Sequence, residues 1–155
     1  MTSDNPKSIY WDSSCFIAFF SEETERFDIC NAVVDAARKG DLKLHTSYLT
    51  LAEVVRIPDE YPTEADNKIQ EFFRNPYIIK ISVDEPVTRI ARDLRRKYKL
   101  RVSDAIHLAT AIYMKVDVLH TYDKDDLLKL NNNIEGWPLS ITKPSFNFQI
   151  EFNTE

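Results

Sequence analysis

A chain of 155 residues with 43% hydrophobic and 29% charged residues has the size of one globular domain, long enough to bury roughly 70% of its unfolded surface. Its formal net charge of −5 excludes a surface coated with nucleic acid over its whole extent, but leaves room for a local basic track. No apolar run reaches the roughly 20 residues that span a bilayer. The N-terminal residues hold no secretory h-region and two cysteines make no disulfide framework, so a reducing cytoplasm is the expected compartment.

Strand and helix signals then alternate along the chain, which predicts an α/β fold with a mainly parallel sheet. Residues 1–7 are expected to be disordered. Ile9 to Trp11 reads as a short buried strand ending at Asp12. Glu22 to Lys39 reads as a helix, with Phe27, Cys30, Val33, Val34 and Ala37 at helical spacing, and Gly40 stands where a helix C-cap takes glycine. Leu42 to His45 is a second strand. Ser47 is placed to cap a helix that carries Glu53 and runs until Pro58. A further helix spans Thr63 to Arg74 and is closed by Asn75-Pro76.

Tyr77 to Val83 is the clearest strand, rich in β-branched residues. Glu85 to Tyr98 reads as a helix on which Arg89, Arg92, Arg96 and Lys99 share one face. That stripe is either a solvated helix face or a track for an RNA backbone. Ser103 to Lys115 is an apolar helix with Asp104 in its first turn. Val118 to His120 is a strand ending near Asp123, and Asp125 to Leu130 a short helix. In the tail, Phe146, Phe148, Ile150 and Phe152 alternate with polar residues, which predicts a strand paired with Leu139 to Thr142 within a terminal unit, 138–153. With no repeat or linker, one domain over 1–155 is expected.

Asp12, Glu53, Asp104 and Asp123 each lie in apolar sequence that does not welcome charge, and an isolated buried carboxylate is costly. In open parallel sheets ligands bind beyond the carboxyl ends of the strands. Asp12 and Asp123 converge there if their strands are neighbours, with Glu53 and Asp104 approaching from helices. Carboxylates so gathered repel one another, and Mg²⁺ or Mn²⁺ suits an all-oxygen set. Each acid also has a structural reading. Asp104 suits a helix first turn, Asp123 an Asx-turn or N-cap, Asp12 a cap of the helix at Phe16, and Glu53 a buried ion pair with Arg56 or Arg101. His45, His107 and His120 read as structural.

Four segments in order, Tyr10-Trp11-Asp12-Ser13-Ser14, Ser47-Tyr48-Leu49-Thr50-Leu51-Ala52-Glu53-Val54, Ser103-Asp104-Ala105-Ile106-His107-Leu108-Ala109-Thr110-Ala111 and His120-Thr121-Tyr122-Asp123, resemble the PIN-domain family of metal-dependent nucleases. The size is most similar to its VapC-type toxins. The resemblance implies a three-layer α/β/α fold and a cytoplasmic endoribonuclease that hydrolyses RNA with Mg²⁺ or Mn²⁺, as the toxin of a type II toxin–antitoxin pair. It implies that Asp12, Glu53, Asp104 and Asp123 form the catalytic metal-binding set, with Ser13, Ser14 and Thr121 as polar supports. The run Asp123-Lys124-Asp125-Asp126 departs from the pattern, and Asp126 can share or replace the role of Asp123. A homodimer through the helices starting at Glu22 and Thr63 is implied, as is an antitoxin inserting an Arg-bearing segment into the acidic cleft. The competing expectations are a catalytically idle PIN-like interaction module and a solitary PIN nuclease without an antitoxin.

Overall fold

Ile9, Tyr10 and Trp11 are all fully buried. Because strand side chains alternate between faces, this requires cover on both sides of the strand, which is the environment of a central parallel strand. The computed structural model describes residues 6–22 and 25–145, and in it the strand Lys7–Trp11 (β1) is central. With Leu42–Ser47 (β2), Ile78–Ile81 (β3), Val118–His120 (β4) and Ser140–Thr142 (β5) it forms a sheet of order β3-β2-β1-β4-β5, parallel throughout. The helices are Ser13–Phe20 (α1), Glu25–Lys39 (α2), Tyr48–Glu53 (α3), Pro62–Phe73 (α4), Glu85–Tyr98 (α5) and Val102–Tyr113 (α6).

The alternation of β1 separates two cores. Ile9 and Trp11, with Leu42, Leu44 and Val118, pack against Phe16 of α1, Cys30 and Val33 of α2, and Ile69 and Phe73 of α4. Trp11 meets Phe16 edge-on at 5.0 Å between ring centroids, and Phe16 meets Phe73 at 4.9 Å, the arrangement that aromatic quadrupoles favour. Tyr10, Leu119 and Ile141 face the other way, onto Val87 and Leu94 of α5 and Leu108 and Ile112 of α6. The result is the expected three-layer α/β/α architecture. From β1 the chain builds outward to β2 and β3 on one side, then returns to β4 and β5 on the other. The strand order therefore reverses between β1 and β4, and a crevice opens beyond their carboxyl ends.

Several boundaries differ from the sequence reading. Lys7 opens β1, so the disorder expected over 1–7 does not reach it, and residues 1–5 lie outside the described residues. The helix expected from Glu22 begins at Glu25, and the helix at Phe16 expected behind an Asp12 cap is α1, Ser13–Phe20. Its sequence, SSCFIAFF, is apolar on nearly every side and so shows no 3.6-residue period. The helix bearing Glu53 stops at that residue, with Val54 extended, because the β-branched pair Val54-Val55 and the approaching Pro58 disfavour helical backbone. The expected helix Asp125 to Leu130 is a turn followed by one 3-10 turn, Leu128–Leu130. Ser140–Thr142 is a strand, but it pairs in parallel with β4; its expected partner, Phe146 to Phe152, lies outside the described residues. Among the described residues no helix is long and apolar enough to cross a membrane.

Candidate metal centre

Asp12 follows the last residue of β1 and serves as N-cap of α1, with extended backbone. Its Oδ1 accepts from the Ser14 amide (3.1 Å) and the Ser14 hydroxyl (2.6 Å). Its Oδ2 accepts from the Thr121 hydroxyl at 2.5 Å. Both hydroxyls are used twice: Thr121 Oγ1 accepts the Asp123 amide and Ser14 Oγ the Tyr122 amide, each at 3.0 Å. The loops after β1 and β4 are thus joined by the side chains that orient Asp12. Asp12 is 4% exposed, and burial pushes its pKa up against the pull of His107, Ser14 and Thr121. Ser14 and Thr121 thus bond Asp12, whereas Ser13 turns to Glu53.

Asp104 lies buried in the first turn of α6, beside the turn that follows β4. There Asp123 Oδ1 accepts the amides of Asp125 and Asp126, both at 3.1 Å. Asp123 is therefore an Asx-turn residue and also a member of the acidic cluster. Asp104, Asp123 and Asp126 each offer an oxygen within 4.8 Å of the others. Asp126 joins the site, while Asp125 is exposed and stays outside that group, as do Asp12 and Glu53. The centre is thus a cluster of three with Asp12 tied to it through Thr121.

Arg101 already lies against this cluster. Its Nε and Nη2 donate to Asp104 Oδ2 at 3.2 and 3.1 Å. Nη2 is 3.5 Å from Asp123 Oδ2, and Nε is 3.3 Å from Asp126 Oδ2. The ion pair between Arg101 and Glu53 weighed from sequence gives way to this three-carboxylate contact. One cation does not balance three acids. Asp123 Oδ2 is buried with no hydrogen-bond partner. Burial and the Asp123 charge push the Asp104 pKa up to about 6, against the pull of Arg101. An all-oxygen donor set with an unsatisfied buried oxygen fits Mg²⁺ or Mn²⁺.

A pH dependence follows from Asp104. Its carboxyl is held above its unfolded value, so between about pH 4 and 6 the folded, metal-free chain binds more protons than the unfolded one. The contribution of this residue to metal-free stability is therefore present below that window and lost as pH rises through about 6. A cation must displace the same proton. Mn²⁺ binding is expected to strengthen from pH 5 to 7 with measurable proton release at pH 5, and calorimetry in two buffers of different ionisation heat checks it. A pH-independent affinity over that range counts against Asp104 as a ligand.

Glu53 ends α3 and is exposed, which corrects the expectation that it is buried: Val54 turns into the core while Glu53 points out. Its Oε1 accepts from Ser13 Oγ at 2.5 Å and from His107 Nε2 at 2.7 Å. Partial burial raises its pKa, but those two bonds outweigh it and hold the carboxyl below its usual value. Sequence reading weighs Arg101 only as a partner of Glu53 and His107 only as a structural residue, whereas Arg101 contacts Asp104 and His107 contacts Glu53. A signal existed, since both lie three residues from Asp104, the spacing that shares a helix face.

The basic stripe is on α5, with Arg89, Arg92, Arg96 and Lys99 all exposed. Arg89 pairs with Glu85 and Arg96 with Asp93. Arg92, Arg95, Arg96 and Lys99 line a shallow concavity over Leu100, so the stripe ends at Lys99, two residues before Arg101.

A family model for the PIN domain matches residues 9–132. No curated protein sequence matches the chain. Solved structures share the fold at low identity. A toxin–antitoxin complex from Klebsiella pneumoniae is 20% identical, with a TM-score of 0.63, covering 88% of this chain and 98% of that one. VapBC2 from Rickettsia felis, bound to a DNA fragment from its promoter, is 15% identical, with a TM-score of 0.64 and coverages of 86% and 98%. VapC20 of Mycobacterium tuberculosis, a toxin that cleaves the sarcin–ricin loop, is 14% identical, with a TM-score of 0.62 and coverages of 76% and 91%.

Proposed function

The chain belongs to the PIN-domain family, and on that premise we propose that it is a divalent-metal-dependent endoribonuclease, the toxin of a type II toxin–antitoxin pair. The observation that carries this reading is the convergence of Asp104, Asp123 and Asp126 within 4.8 Å, joined to Asp12 through Thr121 at the β1/β4 crevice. Asp12, Asp104 and Asp123 would hold the cation, with Asp126 as a fourth oxygen source and Glu53 acting directly or through water. Bound Mg²⁺ or Mn²⁺ supplies a water of lowered pKa and stabilises charge on the scissile phosphate. Ser14 and Thr121 fix both oxygens of Asp12, and Ser13 fixes one of Glu53. Arg92, Arg95, Arg96 and Lys99 hold the RNA backbone, which gives affinity without sequence choice.

Solved structures that share the fold include toxin–antitoxin complexes, which supports an antitoxin as partner. The span of Arg101 across three carboxylates supports the idea that an incoming guanidinium fits the same cleft. The chain is further proposed to be one cytoplasmic domain that dimerises through α2 and α4. The function is tested by RNA cleavage with the purified protein. Mn²⁺ or Mg²⁺ is expected to support cleavage, EDTA to abolish it, and added metal to restore it; cleavage that survives EDTA sinks the proposal. In the same assay Arg92→Glu with Arg96→Glu is expected to raise KM and flatten the dependence of RNA binding on salt, and an unchanged salt slope removes α5 from the RNA path.

A further inference from the structure

Each of the three histidines is buried, and two of them serve the sheet. His45 Nδ1 is 3.3 Å from the Ile9 carbonyl, and His120 Nδ1 accepts the Trp11 indole N–H at 3.0 Å. His107 instead reaches across to the acidic crevice. We propose that His107 is the positioning residue for Glu53, held in one tautomer by Tyr10, so that Glu53 presents a fixed oxygen to the cation or its bound water. This inference rests on the metal-nuclease reading above.

The hydrogen-bond roles follow from what each group can donate. The Glu53 carboxylate only accepts, so His107 Nε2 carries the ring hydrogen and donates to Oε1 across 2.7 Å. In the neutral ring Nδ1 is then an acceptor. The fully buried Tyr10 hydroxyl lies 2.7 Å from it and is placed to donate. With its one hydrogen on Nε2, the ring passes a chain from Tyr10 O–H to His107 Nδ1 and from Nε2–H to Glu53. The His107 ring cannot turn freely, since it packs edge-on to Tyr10 at 5.8 Å inside the layer between the sheet and α6.

Glu53 needs such a hold. It closes a six-residue helix on the solvent side, where a glutamate otherwise samples many rotamers. Ser13 and His107 both bond Oε1, leaving Oε2 as the oxygen for a cation or its water. Outer partners of this kind set the orientation and basicity of metal ligands.

The test compares the full-length wild type, His107→Leu, His107→Gln, Tyr10→Phe, Glu53→Gln and the Glu53→Gln/His107→Leu double variant, by calorimetric Mn²⁺ titration and by thermal midpoint without metal. His107→Leu is expected to weaken Mn²⁺ binding by roughly ten- to hundredfold. His107→Gln, whose amide N–H can reach Oε1, is expected to recover most of that loss. Tyr10→Phe gives a smaller loss without an apolar intrusion. In the Glu53→Gln background His107→Leu is expected to weaken binding no further. Two outcomes overturn the inference: His107→Leu lowers the thermal midpoint but leaves Mn²⁺ affinity unchanged, or the losses from Glu53 and His107 multiply independently. If Glu53→Gln alone leaves Mn²⁺ affinity and cleavage intact, the positioning inference falls while the nuclease reading stands; no Mn²⁺ binding and no cleavage by the wild type removes both.

Discussion

Asp12→Asn is expected to separate stability from activity. Asparagine caps a helix as well as aspartate does, and its Oδ1 can keep both bonds from Ser14 that Asp12 Oδ1 accepts. Thr121 now donates to Oδ2; in the variant it would accept from the amide, so the link between the loops survives with its polarity reversed. Asp12 is buried and its pKa is pushed up by that burial, which means that its ionised form is held at a penalty to the fold. Removing the charge is therefore expected to leave the metal-free thermal midpoint unchanged or raised. RNA cleavage, by contrast, is expected to fall by more than about a hundredfold, beyond the roughly ten- to hundredfold loss that removal of an outer partner alone brings. The two measurements are a thermal melt in EDTA and cleavage in Mn²⁺. Cleavage near the wild-type rate would remove Asp12 from the metal set and with it the proposed mechanism.

Arg101→Ala is expected to act in opposite directions on the metal-free and metal-loaded protein. Without metal, its guanidinium is the cation nearest to Asp104, Asp123 and Asp126. Its loss leaves three carboxylates facing one another, so the thermal midpoint in EDTA is expected to drop. The side chain is 71% exposed, so the loss comes from uncompensated repulsion and hardly from packing. With metal present, the same guanidinium competes for the oxygens that hold the ion. The guanidinium and a divalent ion on the same oxygens repel each other, weakened by solvent at this exposed side chain. Mn²⁺ binding is therefore expected to tighten by roughly tenfold, and to stabilise Arg101→Ala more than wild type. Arg101→Lys keeps the charge but loses the forked geometry, and its metal affinity is expected to fall between the two. Unchanged Mn²⁺ affinity in Arg101→Ala would show that the guanidinium does not share the cation's oxygens.

Much of the layered fold was legible because its signals are local. The helix Glu85–Tyr98 and the strand Val118–His120 have the bounds read from sequence. Amphipathic periodicity and β-branched content depend only on neighbours in the chain. Helix α1 was legible through its cap at Asp12 and not through periodicity, because a segment apolar on almost every side carries no phase. The acids were legible in kind and approximate place, since Asp12 and Asp104 are buried as their apolar neighbours suggested. Glu53 misled for the same reason: its neighbours are apolar, but only some of them face the core.

The sequence determined which side chains could do chemistry and roughly where each sits along its element. An apolar strand followed by Asp12, a basic helix face, and an acid in a helix first turn are all statements about adjacent residues. Tertiary structure alone decided which of them meet. Thr121 donates to Asp12 from 109 residues away, Tyr10 reaches His107 across 97, and Asp126 rather than Asp125 completes the cluster. Coulomb energies and hydrogen bonds depend on separation in space. That separation was set only when β4 returned beside β1 and brought the two loops to one crevice.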